Sequence, residues 1–149
     1  MTDALLTPQQ LQVWRTLRKV RDHVGAAVDR ELTQAADLNA SEYIALALLS
    51  EVPEGRMRQQ TLAEKLGLHK SRLSHLLTRM GERGLVERQP LGNKGVTVVM
   101  TERGRDLQRQ GETAYHRALQ RHFIGLLRPE QLDAILEIAD DLGVKPRAP

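Results

Sequence analysis

The sequence predicts a mainly α fold with one small β-hairpin, an α+β arrangement. Apolar residues recur every three or four positions along most of the chain, most cleanly at Leu73, Leu76, Leu77 and Met80. That rhythm breaks in one place, where Leu85–Arg88 and the β-branched run Val96–Met100 flank Gly92-Asn93-Lys94-Gly95. At 149 residues, 40% hydrophobic and 28% charged, the chain fits one soluble globular domain over residues 1–149.

Taken in order, Thr7-Pro8 is a cap followed by a proline at the first helical position. Leu11, Trp14, Leu17, Val20, Val24, Ala27 and Val28 then mark one apolar face, and Gly25 weakens the helix without ending it. Asn39-Ala40-Ser41 offers caps for a second helix through Ile44, Leu46, Leu48 and Leu49. Pro53-Glu54-Gly55 is a turn, Arg56–Arg58 a minimal strand, and Gln59–Leu66 a short helix stopped by Gly67. Lys70–Arg83 is the next helix, closed by Gly84, and the hairpin follows it. Thr101 caps a long helix carrying Leu107, Ala114, Tyr115, Ala118, Leu119 and Phe123. Arg128-Pro129 opens a last helix with Leu132, Ile135, Leu136, Ala139 and Leu142 on one face, and Lys145–Pro149 reads as frayed.

Composition excludes several functions. With no cysteine there is no disulfide scaffold, thiolate zinc site or catalytic thiol. Four aromatics (Trp14, Tyr43, Tyr115, Phe123) are too few for a base-stacking surface. The longest uncharged apolar run, Tyr43–Ser50, cannot span a bilayer, and no secretory signal opens the chain, so a cytoplasmic protein without membrane partners is expected. His69 and His75, like His116 and His122, are six apart, not the four that puts two imidazoles on one helical face, so no metal or cofactor is expected. Nor is there a phosphate loop, nucleophile elbow or paired His-Glu motif, so the chain does not read as an enzyme and no catalytic residue is assigned.

The charge is unevenly placed. Residues 56–104 carry ten basic and four acidic side chains, whereas residues 1–55 are net acidic and residues 105–149 are neutral. A cationic middle points to a polyanion. Within it, helix, Gly-Leu turn, helix and hairpin make a winged helix-turn-helix with long helices at both ends. If Leu73, Leu76, Leu77 and Met80 face inward, Ser71, His75 and Thr78 face outward, flanked by Arg72, Ser74 and Arg79. Hydroxyl, imidazole and guanidinium groups donate to phosphates and base edges. The expected DNA-contacting set is Lys70, Ser71, Arg72, Ser74, His75, Arg79, Arg88 on the hairpin and Lys94 at its tip.

The run Leu62-Ala63-Glu64-Lys65-Leu66-Gly67-Leu68-His69-Lys70-Ser71-Arg72-Leu73-Ser74-His75-Leu76-Leu77, then Arg83-Gly84-Leu85-Val86-Glu87-Arg88 and Thr101-Glu102-Arg103-Gly104, resembles the MarR (multiple antibiotic resistance regulator) family. The resemblance extends over nearly the whole chain. It implies a homodimer with intertwined terminal helices, repression from palindromic, double-stranded operators, and release by small effectors that are often aromatic acids. The expected layout is dimerisation helices at 8–35 and 105–142 around a winged lobe at 41–104. Three departures stand out: His69 and Arg58 occupy positions where the family prefers hydroxyl caps, and Gly92 and Lys94 replace a wing Asp and Arg. Trp14 reads as core or dimer interface. The alternative function is a winged-helix architectural or protein-interaction module without effector response; no residue announces a ligand site.

Overall fold

The computed structural model of the chain describes residues 5–144; the expected frayed end, Lys145–Pro149, lies outside them. α1 (Pro8–Ala36) opens on a reciprocal cap, with Thr7 Oγ1 accepting from the Gln10 N–H at 3.2 Å and Gln10 Oε1 accepting from the Thr7 N–H at 2.9 Å. The helix runs through Gly25 without a break. Asp37, with φ 52°, reverses the chain into α2 (Ala40–Ser50). There Asn39 Oδ1 accepts from the Glu42 N–H at 2.9 Å while the Glu42 carboxylate accepts from the Asn39 N–H at 3.1 Å. Next come β1 (Arg56–Arg58), α3 (Gln59–Leu66), α4 (Lys70–Glu82), β2 (Val86–Pro90), β3 (Val96–Met100), α5 (Glu102–His122) and α6 (Pro129–Asp141).

Three details differ from the sequence reading. The first hairpin strand is Val86–Pro90 rather than Leu85–Arg88. Leu85 belongs to the close of α4, its N–H donating to the Met80 carbonyl at 2.9 Å, and Gln89 and Pro90 go on pairing with Thr97 and Val96. Pro90 is tolerated because β2 is an edge strand in the order β1-β3-β2. Secondly, the hairpin is part of a three-stranded antiparallel sheet, since β1 pairs with β3 through Arg56↔Val99, Met57↔Val98 and Arg58↔Thr97. Thirdly, Phe123 lies past the end of α5, where its φ of −146° breaks the helix.

The chain divides into two units. Val28–Tyr115 forms one, built from the end of α1, α2 to α4, the sheet and the start of α5. Its core comprises Leu32, Leu38, Leu46, Leu48, Leu49, Leu62, Leu73, Leu77, Met80, Leu85 and Val98, all under 2% exposed. Tyr43 and Tyr115 add a ring pair at 4.4 Å. Burial pushes the Tyr43 phenol pKa up; a hydrogen bond with Gln108 opposes that shift, and Glu112 and Tyr115 reinforce it. The second unit comprises the described parts of Met1–Ala27 and His116–Pro149. Ala27 and Ala118 are buried there, whereas Trp14, at 57%, and Leu17, at 59%, are exposed, so Trp14 is no core residue of the single chain.

Candidate nucleic-acid interface

The local sequence sets the angle between α3 and α4. Gly67 takes the left-handed conformation (φ 65°) that ends α3, and Leu68 donates back to the Ala63 carbonyl at 3.0 Å. Leu62 and Ala63 on α3 and Leu73, Leu76, Leu77 and Met80 on α4 are buried. This pins α4 by its apolar stripe. Lys70, Ser71, Arg72, His75, Thr78 and Arg79 are thereby exposed, with Ser74 half-buried. Neither Arg58 nor His69, the residues at the two N-cap positions, makes a side-chain cap bond.

The structure gathers four of the expected residues around one cleft. Lys70, Ser71 and Ser74 of α4 and Lys94 of the wing line a space of about 440 Å³. Arg72, His75 and Arg79 lie on the exposed face of α4 and do not line it. Arg88 is held differently: its guanidinium donates to Thr78 Oγ1 at 2.8 Å, and that hydroxyl donates to the Ser74 carbonyl at 2.9 Å. Arg88 therefore ties the first wing strand to the middle of α4.

Sequence reasoning missed Arg58, Gln59 and Gln60, which also line the cleft. A signal was present. A cation at a helix N-terminus opposes the helix dipole, and such a local conflict often marks a functional position.

Among the described residues, Arg58, Lys70, Arg72, Arg79 and Lys94 form no ion pair. The salt bridges lie elsewhere: Arg21–Asp22, Arg56–Glu54, Arg83 with Asp37 and Glu42, and Arg109–Asp106. The cationic face thus keeps its charge uncompensated. The Arg83 bridges matter for position, because they brace the C-cap of α4 against the buried Glu42 at the start of α2. No group of three or more metal-ligating side chains occurs among the described residues, and no helix there is long and apolar enough to cross a membrane.

Residues 36–95 match the MarR family. AbsC, a MarR family transcriptional regulator from Streptomyces coelicolor, is 32% identical; the match covers 94% of this chain and 95% of AbsC, with a TM-score of 0.81. Sco3205, a MarR family transcriptional regulator from the same organism solved in complex with DNA, is 28% identical over 96% of this chain and 92% of its own, with a TM-score of 0.84. CouR from Rhodococcus jostii RHA1, solved bound to p-coumaroyl-CoA, shares the fold at 24% identity, with 92% and 95% of the two chains covered and a TM-score of 0.73. No curated protein matches the chain.

Proposed function

The chain belongs to the MarR family of transcriptional regulators, and from that premise we propose that it is a homodimeric repressor of a pseudo-palindromic operator. The observation that carries the reading is the outer face of α4, where Lys70, Arg72 and Arg79 stand exposed without ion pairs beside the Lys94-bearing wing. In this reading α4 enters the major groove. Lys70, Ser71, Arg72, Ser74, His75 and Arg79 reach bases and phosphates, Lys94 reaches the backbone, and Arg88 holds the wing in register with α4. The work is done in the cytoplasm, where the DNA is, and involves no catalysis.

Arg72 tests the base-reading part. Arg72→Ala is expected to weaken operator binding by about 1–3 kcal/mol and to relax sequence preference. Titrating operator and scrambled duplexes side by side reads both effects. Equal losses on the two would move Arg72 from the bases to the backbone.

The dimer rests on surplus apolar surface. Trp14 and Leu17 on α1, and Ile135, Leu136 and Ile138 on α6, are more than 40% exposed in the single chain. An apolar groove of about 430 Å³ lined by Val20, Val24, Phe123, Leu126 and Leu127 lies in the same unit. A second copy would bury these faces. We assign residues 8–35 and 105–142 to dimerisation and 41–104 to the winged lobe. Light scattering is expected to give twice the 16.8 kDa chain mass at micromolar concentration. A folded monomer there would remove the two-fold reading and with it the palindrome. Dimer symmetry would place the two α4 helices about 34 Å apart, in successive major grooves. A small effector, an aromatic acid being the expected class, would release the DNA.

A further inference from the structure

We propose that Arg58, Lys70 and Lys94 together hold one phosphate of the DNA backbone in the cleft they line, so that wing and helix-turn-helix grip the same group. The inference deepens the DNA-binding reading and rests on it. It adds Arg58 to the contact set and turns three separate cations into one clamp.

The three charges come from three elements: Arg58 ends β1, Lys70 begins α4 and Lys94 sits at the wing tip. All three line the same cleft of about 440 Å³, whose lining contains no carboxylate. Among the described residues none of them has an ion-pair partner. Like charges gathered at one cleft repel, and an anion between them reverses the sign of that interaction.

Two helix N-termini open on the same space, since Gln59 and Gln60 of α3 and Lys70 and Ser71 of α4 line it. Their first-turn N–H groups, left without side-chain caps, favour an anion. Gln59 Oε1 is buried in the same wall and is without a hydrogen-bond partner among the described residues. The lining holds no aromatic ring on which a base would stack, so the backbone is the part of DNA that fits.

The test uses the full chain, a duplex of unrelated sequence and fluorescence anisotropy over a range of salt. Each phosphate neutralised contributes about 0.9 to the slope of log affinity against log salt. One shared phosphate predicts that the Arg58→Gln/Lys70→Gln/Lys94→Gln triple variant loses about 0.9 of slope per lobe, whereas three separate phosphates predict about 2.7. Arg58→Gln alone is expected to lower affinity on every duplex, and Arg58→Lys to retain most of it. On an operator duplex, where the register is fixed, a neutral methylphosphonate at the clamped phosphate should erase the difference between wild type and triple variant. A loss near 2.7 per lobe, or an Arg58→Gln variant with unchanged affinity and slope, overturns the clamp while leaving DNA binding in place. Wild-type protein that binds no duplex overturns the DNA reading itself, and the clamp with it.

Discussion

Alanine at Gly104 is expected to destabilise the Val28–Tyr115 unit by about 3 kcal/mol, because the added methyl meets backbone that cannot yield. A Cβ there would collide with the Leu85 carbonyl and sit 3.1 Å from Leu46 Cδ2. The Leu85 carbonyl is fixed by the Thr101 N–H at 3.1 Å. Thr101 Oγ1 in turn donates to the Gly84 carbonyl at 2.6 Å and accepts from the Gly104 N–H at 3.0 Å. Relieving the collision would break the cap of α5 and shift the turn that closes α4, so DNA affinity should fall with stability. Urea unfolding reads the first effect and duplex titration the second. Gly25→Ala is the control of opposite sign: nothing lies within 4 Å of its Cβ position, and a helix gains up to about 1 kcal/mol from that exchange. An unchanged urea midpoint for Gly104→Ala would refute the packing described for α5.

Removing Arg83 is expected to be nearly as costly. Its guanidinium donates to the Glu42 carboxylate at 2.8 Å, to the Asp37 carboxylate at 3.2 Å and to the Asp37 carbonyl. Glu42 is only 5% exposed, so Arg83→Ala leaves a buried charge without its partner, at about 3 kcal/mol. Arg83 itself is 29% exposed, and water reaching it keeps the loss at the low end of the range for such pairs. Lysine should recover part of the loss, since an ammonium reaches one of these acceptors but cannot fork across them. Unfolding of the two variants in urea separates the cases; equal midpoints would mean that the fork carries no weight.

Most of the helical architecture was legible because it follows from local chemistry. Asn39 and Thr101 announce helix starts, Gly67 and Gly84 announce ends, and the stripe on α4 fixes which side faces water. Pairing across long sequence separations was not legible. Arg56–Arg58 reads as a strand, but nothing local says that it joins β3. For the same reason the cleft escaped the sequence reading: Arg58 and Lys94 lie far apart in the chain and meet at one space only through that sheet. Arg88 was visible as a basic residue on a strand, whereas its bond to Thr78 depends on how the wing folds back on α4.

The position of Arg58 has a bearing on which changes in length the protein can absorb. It is at once the last residue of β1 and the N-cap of α3, with no residue between strand and helix to take up slack. One residue inserted there would turn α3 by about 100° against the sheet, carrying Leu62 and Ala63 out of the core. The wing turn, at the same end of the sheet, is more forgiving of the fold. Gly92 and Gly95 have nothing within 4 Å of their Cβ positions, so residues added to that turn leave the core untouched, although they would carry Lys94 away from the cleft. Relatives of this chain that differ in length should therefore differ at the wing tip and keep the strand-to-helix junction intact.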